Sequence, residues 1–154
     1  MSKIISQTEA VKIRKSCRRK GQRVVFTNGC FDILHRGHVE FLAKAKKLGD
    51  ILIVALNTDS SVRKLKGKNR PMVRYQDRAY IISHLDMVDY VVSFGALTPK
   101  AIISKLLPDV LVKGGDYSLN EIVGAEDVKA SGGKVVTIPL IKGRSTSRLI
   151  GRLG

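Results

Sequence analysis

Tryptophan is absent from the 154 residues and aromatic side chains make up only 5%. An aromatic-rich strand of the kind that stacks single-stranded bases is therefore missing. Cysteine occurs twice, as Cys17 and Cys30, without the paired C-x-x-C spacing of a zinc finger. In a chain with no export signal, two cysteines read as reduced thiols rather than a disulfide framework. Proline occurs four times and no tract is biased toward one residue, which excludes a disordered or fibrous chain. No apolar run reaches the length of a membrane span, and Met1 to Lys12 carries no long apolar segment after its charges. A cytoplasmic location with no membrane partner is the expectation. The G-x-x-x-x-G-K-[ST] phosphate loop is also missing, and Thr27-Asn28-Gly29-Cys30-Phe31-Asp32 lacks the three glycines of a dinucleotide fingerprint.

Acidic residues are scarce as well. Against 28 lysines and arginines stand 13 aspartates and glutamates, a formal net charge of +15. Such an excess points to an anionic partner, and on charge alone nucleic acid, small phosphorylated ligands and simple solubility all stay open.

What is present is an alternation of apolar strands and amphipathic helices, enough for one domain. Ser6-Gln7-Thr8-Glu9 has capping-box spacing and opens a basic helical segment that ends at Gly21, so residues 1–22 read as an N-terminal helical segment ahead of a domain over 23–154. Val24-Val25-Phe26 gives a strand, Val39 to Leu48 a helix, and the continuously apolar ILIVAL of Ile51 to Leu56 a strand covered on both faces. Tyr75 to Met87 predicts a helix and Val88 to Phe94 a strand. Thr98 and Pro99 open a further helix that Pro108 closes. Val110 to Val112 and Val135 to Ile138 are the remaining strands, with helices predicted over Asn120 to Ser131 and Ser147 to Leu153. Five strands joined by crossover helices make a single-domain, doubly wound α/β sheet. Polar loops follow the C-terminal strand ends at Thr27-Asn28-Gly29, Asn57-Thr58-Asp59, Ser93-Phe94-Gly95, Lys113-Gly114-Gly115-Asp116 and Lys142-Gly143-Arg144. In open parallel sheets the ligand sits outside those ends, so these loops define the candidate site.

Three clusters carry chemistry there. His35-Arg36-Gly37-His38 runs into a helix, so two imidazoles flank a turn while free helix N–H groups point into the same space. A phosphate contact, a metal site that includes Cys30 and Asp32, and a helix cap with a surface residue are the alternatives. His84, inside a helix, reads as structural. Lys64, Lys66, Lys68 and Arg70 fall in KLKGKNRPM, read as a loop because Gly67 and Pro71 interrupt it; it either binds phosphate, with Arg78 joining from the next helix, or is a solvated segment. Gly143, Ser145, Thr146 and Ser147 precede an apolar helix, where hydroxyls and helix N–H groups either bind phosphate or cap the helix.

Taken together, TNGCFDILHRGH resembles the T-x-G-x-F-D-x-x-H-x-G-H motif of the cytidylyltransferase-like nucleotidyltransferase family, from Thr27 to His38. GRSTS is similar to that family's second, I-S-T-T-like phosphate motif, with Arg144 standing where isoleucine is usual. Within the family, residues 24–153 resemble the heptose 1-phosphate adenylyltransferase domain through NGCFDILHRGHVEFL, LNTDSSVRKLKGKNRP, LVKGGDY and GRSTSRLI.

The resemblance implies a Rossmann-like sheet in the order 3-2-1-4-5 and Mg²⁺-dependent transfer of AMP from ATP to a sugar 1-phosphate, with release of pyrophosphate, for lipopolysaccharide biosynthesis. It assigns catalytic roles to His35, His38 and Lys44. It places ATP against Thr27, Asn28, Gly29, Phe31, Lys68, Arg70, Arg78, Lys113, Gly114, Gly143, Ser145, Thr146 and Ser147, with the base near the fourth and fifth strand ends. Asp116 is the candidate for a sugar hydroxyl; Asp32 either orients the first loop or approaches Mg²⁺, and Asp59 fixes the loop after the second strand or meets substrate. No residue is assigned as a metal ligand. A separate sugar kinase would supply the substrate, no specific nucleic acid is implied, and a homodimer or higher homo-oligomer is expected. The chemistry agrees with the inventory: a sugar phosphate is already an anionic nucleophile, so the protein must align attack on the α-phosphorus and offset charge rather than supply a Ser-His-Asp triad.

Overall fold

In a computed structural model, residues 2–115, 117–140 and 145–153 are described. The strands are β1 (Val24–Gly29), β2 (Ile51–Asn57), β3 (Tyr90–Phe94), β4 (Val110–Gly114) and β5 (Lys134–Ile138). The helices are α1 (Gln7–Arg19), α2 (Arg36–Lys46), α3 (Asp59–Lys66), α4 (Tyr75–Ser83), α5 (Lys100–Leu106), α6 (Ala125–Ala130) and α7 (Thr146–Leu153). All strand pairs are parallel, in the order β3-β2-β1-β4-β5.

Alternate residues of each central strand serve opposite faces, which is why the strands read as unbroken apolar runs. Val24, Phe26, Ile53 and Leu111 pack with α1, α5 and α6 through Ala10, Ile103 and Val128. Val25, Leu52, Val54 and Val112 pack with α2 and α4 through Leu42, Ala45 and Ile82. The first 22 residues share this core. Ser6 caps α1 in a reciprocal box with Glu9, Ile4 bridges to Val91 on the edge strand, and the buried Arg14 clamps Asp109 with both terminal nitrogens, at 2.8 and 3.1 Å. No helix among the described residues is long and apolar enough to cross a membrane.

Several element boundaries differ from the sequence expectation. Asp59–Lys66 is helical, so Lys64 and Lys66 belong to the last turn of α3 and only the stretch after Gly67 is loop. Thr58 caps that helix by accepting from the Ser61 amide at 3.3 Å, and Asn57 donates to the Ser61 hydroxyl; the polar run NTDSS supplies capping rather than loop. The helix predicted over Asn120 to Ser131 splits into a single 3-10 turn at Leu119–Glu121 and α6. Gly124 stands between them at φ +85°, and a Cβ there would lie 2.7 Å from Ile103. Helix α4 ends at Ser83 in a tightened turn, where the His84 and Leu85 amides donate to the Ile81 and Ile82 carbonyls, and β3 starts at Tyr90, after Asp89 turns its carboxylate back to the Leu52 amide and Lys46.

Candidate functional site

The sheet opens where its strand order reverses. β1 and β4 stay in register only through Val25–Val110 and Phe26–Leu111. The Thr27 hydroxyl, buried, donates to the Val112 carbonyl at 2.9 Å and closes the fork just beneath the opening. Above it lies a cavity of about 590 Å³. Open α/β sheets bind ligands at this switch point, outside the carboxyl ends of the strands.

The floor of the cavity is the β1–α2 loop. Phe31 takes a left-handed conformation (φ +47°), which a bulky residue holds only when its surroundings fix it. Its ring lies against Gly29, where a Cβ would come within 2.8 Å, and meets the His38 ring at a centroid distance of 5.0 Å. His35 and His38 stack at 3.8 Å with 24° between their planes. The His35 backbone N–H donates to Nδ1 of His38 at 3.3 Å. That bond makes Nδ1 an acceptor, so the neutral ring carries its proton on Nε2. Burial, reinforced by the neighbouring His35, pushes the His38 pKa down to about 4, so the ring is neutral near pH 7. His38 therefore presents a neutral N–H donor at the first turn of α2, where helix geometry also leaves the Arg36 and Gly37 amides without an intrahelical acceptor. This arrangement receives phosphate oxygens.

Asp32 anchors the loop from below. Its carboxylate accepts from Arg70 Nε at 2.8 Å and from the amides of Met72 and Val73, with its side chain 1% exposed. Burial alone would raise its pKa, but the two amides and the guanidinium outweigh that and hold it below the usual aspartate value. Arg70 thus reaches the cavity wall already paired. Arg78 is fully buried and donates to the Val73 carbonyl, the Cys30 carbonyl and Asp59, at 2.7–2.9 Å. Asp59 also accepts from the Tyr75 amide. The sequence put Arg78 among phosphate ligands; it lies beneath the cavity instead, tying two loops to the start of α3, and the acceptors enclosing it leave no path to solvent. Asp59 and Thr27 are likewise turned to internal partners, and both carboxylate oxygens of Asp32 are engaged within the protein.

The remaining candidates divide. Asn28, Gly29, Lys113 and Gly114 line the cavity, as do Ser145 and Ser147 at the start of α7, where Ser145 caps the helix by accepting from the Arg148 amide at 3.0 Å. Lys44 and Lys68 are exposed and do not line the cavity. Thr146 opens α7. Asp116 and Gly143 lie outside the described residues. Asn57, Leu65 and Tyr117 also line the wall. Asn57 and Tyr117 are marked in the sequence only as members of the strand-end segments NTD and LVKGGDY; Leu65, apolar and in the last turn of α3, carries no mark there.

Among the described residues no three His, Cys, Asp or Glu side chains lie together as a metal cage. Among the described residues Asp32 has both carboxylate oxygens engaged within the protein and Asp59 has one, so no pair of free carboxylates is left there to hold Mg²⁺.

Comparison with known proteins agrees with this geometry. The family model described as cytidylyltransferase-like matches residues 26–149. The chain belongs to the cytidylyltransferase-like family. The bifunctional protein HldE of Citrifermentans bemidjiense is 57% identical over 134 residues, covering 87% of this chain and 28% of that protein. The HldE of Wolinella succinogenes is 51% identical over 151 residues, or 98% of this chain and 31% of its length. The chain thus spans less than a third of these curated relatives. Among solved structures, a lipopolysaccharide core biosynthesis protein from Thermoplasma volcanium superposes with a TM-score of 0.64 at 29% identity, over 80% of this chain and all of that one. A pantoate-beta-alanine ligase from Francisella tularensis shares the fold, with a TM-score of 0.61 at 17% identity over 96% of this chain and 69% of its own.

Proposed function

We propose that residues 23–154 form an adenylyltransferase that moves AMP from ATP to a sugar 1-phosphate, D-glycero-β-D-manno-heptose 1-phosphate, with residues 1–22 bracing the sheet. The observation that carries this reading is the neutral His38 donor stacked on His35 at the first turn of α2, directly above the β1/β4 fork. An oxygen of the sugar phosphate attacks the α-phosphorus, the bond to the β-phosphate oxygen breaks, and pyrophosphate leaves with its electron pair. No proton need be removed from the nucleophile, so the protein's work is alignment and charge stabilisation. His38 donates through Nε2 to an oxygen that gains charge in the transition state, without acting as nucleophile or base. The start of α7 and the flanking cations hold the rest of the triphosphate. Mg²⁺ enters with ATP, held by phosphate oxygens and water, as part of the substrate.

ADP-heptose and pyrophosphate are the expected products, and a sugar kinase must act upstream to make the phosphorylated acceptor. The test is pyrophosphate release from purified protein with ATP, Mg²⁺ and a panel of acceptors. Release is expected with heptose 1-phosphate and not without an acceptor. Release only with glycerol phosphate, phosphopantetheine or nicotinamide mononucleotide would overturn the acceptor; a preference for CTP would overturn the donor. No pyrophosphate with any of them, alongside tight salt-sensitive RNA binding, would replace the enzyme with a basic binding module.

A further inference from the structure

A relay of hydrogen bonds runs from the β1–α2 loop, past the end of β2, to the loop after β3. The Cys30 thiol donates to Oδ1 of Asn57 at 3.6 Å, Asn57 Nδ2 donates to the Ser61 hydroxyl at 3.0 Å, and that hydroxyl donates to the Ala96 carbonyl at 2.9 Å. Proton count fixes its direction. A serine hydroxyl has one proton, and with that proton on the Ala96 carbonyl it can only accept from Asn57. The amide therefore turns its NH2 to Ser61 and its oxygen to Cys30, whose thiol must keep its proton to donate. Burial favours that protonated form by pushing the thiol pKa up against the neighbouring cations. Asn57 is 3% exposed and Ser61 0%, so a broken link leaves a buried polar group unsatisfied instead of handing it to water.

What the relay holds is the residue directly before Phe31. At φ +47° Phe31 occupies a conformation that costs any residue with a bulky side chain, and its ring meets that of His38 at 5.0 Å. Such a conformation persists only where its neighbours are fixed, and both are. Asp32 is bound by Arg70 and by the amides of Met72 and Val73. Cys30 is bound twice, at its carbonyl by Arg78 and at its thiol by Asn57. One attachment sets where a residue lies; a second sets how it is turned, and with it the peptide that leads into Phe31. We infer that Asn57 is a positioning residue for the reaction: through Cys30 it keeps Phe31 left-handed, and through the Phe31 ring it keeps the His38 imidazole aimed at the transferring phosphate. This assignment rests on the transferase reading of His38 and requires no contact between Asn57 and either substrate.

Two substitutions break the same link from its two ends. Asn57→Leu keeps the shape of the side chain, and Cys30→Ala removes only the thiol. Each should lower kcat about ten- to a hundredfold, as expected for a misplaced catalytic group, while KM for ATP and for the sugar 1-phosphate stays within about twofold. The double variant should be no slower than the slower single one, since a link already broken is not broken again. Losses that multiply in the double variant would overturn the coupling. A raised KM with unchanged kcat would overturn it in favour of direct substrate contact by Asn57. Nuclear magnetic resonance supplies a readout that needs no turnover. In Asn57→Leu the backbone carbon shifts of Phe31 should leave the left-handed range, and His38 should titrate above its parental value of about 4. If these signals move but the parent releases no pyrophosphate with any acceptor, the relay stands and the transferase reading falls. If the parent turns over and neither the signals nor kcat respond to Asn57→Leu, the transferase reading stands and the relay falls.

Discussion

Along the edge where the strands begin, Asp50, Asp89 and Asp109 each stand one residue before a strand and accept the amide at the start of a neighbouring one. Asp50 takes the Arg23 N–H, Asp89 that of Leu52 and Asp109 that of Val24, at 2.7–2.8 Å. Along the opposite edge, where the strands end, the cavity wall carries histidines and lysines, and Asp32 and Asp59 bind groups of the protein itself. The scarce acids are thus used as fasteners, at one edge to register the strands and at the other to pin loops. Arg14 and Arg78 make the contrast sharp. Both are buried and both direct their three nitrogens to protein acceptors. Arg14 joins α1 and the end of α5 to the base of β4. Arg78 joins the loops at Cys30 and Val73 to Asp59 at the start of α3, beneath the cavity. A buried guanidinium is structural at either edge, but only at one does the structure it holds perform chemistry.

The largest effects should come from breaking these two arginines. Removing one partner of a buried, hydrogen-bonded ion pair costs about 3–5 kcal/mol, and since the aspartates are about one-third exposed the lower end applies. Arg14→Ala and Arg78→Ala should therefore lose similar stability in urea unfolding. Turnover per folded molecule should then part them: near parental for Arg14→Ala, and reduced at least tenfold for Arg78→Ala, whose loss frees the Cys30 carbonyl and the loop after it. Equal turnover in the two would erase the distinction between the edges.

The fold was legible because both faces of every central strand are apolar, a pattern that belongs to parallel sheets, and because capping residues marked the starts of α1 and α7. The short α3 was not, since eight residues with one buried aliphatic, Val62, show no apolar periodicity. Of the site, the histidine cluster could be read from local spacing. The allocation of charge could not: Arg14 pairs across 95 residues and Arg70 across 38. Nothing near either arginine in sequence distinguishes a guanidinium that will be buried from one that will meet phosphate. Asp50, Asp89 and Asp109 did leave a repeated mark, an aspartate directly before Ile51, Tyr90 and Val110, which only the topology turns into a fastening.

A smaller effect sharpens the contrast within the cationic edge itself, between a donor on the cavity floor and one outside it. Loss of the His38 donor should raise the barrier by roughly 2–4 kcal/mol, about 30- to 1000-fold in turnover. Lys44, six residues further along α2 but exposed, should change turnover less than threefold when replaced by alanine. Circular dichroism melts of both variants would establish that the fold is kept. A His38→Ala protein active within twofold of the parent would remove the imidazole from the mechanism, while a large loss in Lys44→Ala would mean that this exposed chain reaches substrate on binding.

The last expected effect is on the pH dependence of stability, and its sign follows from two carboxylate-range groups at this edge, His38 and Asp32. His38 has a folded pKa of about 4 against an ordinary 6.5. Between those values the unfolded chain binds a proton that the folded chain refuses, so stability falls as pH drops from 6.5 toward 4. Asp32 acts in the next window down. Its folded pKa lies below the ordinary 3.8, so its contribution is present above that value and is lost as pH falls through the lower one. Urea unfolding of the parent and of His38→Gln from pH 8 to pH 3 should give curves that converge as pH falls from 6.5 to 4, the parent losing more. Asp32→Asn should instead flatten the curve only below pH 4. Nuclear magnetic resonance of the imidazole nitrogens supplies the functional half: free His38 should remain neutral with its proton on Nε2 at pH 6, and bound ATP should raise its pKa. A His38 that titrates near 6.5 in the free protein would contradict the buried, neutral donor on which the cavity floor depends.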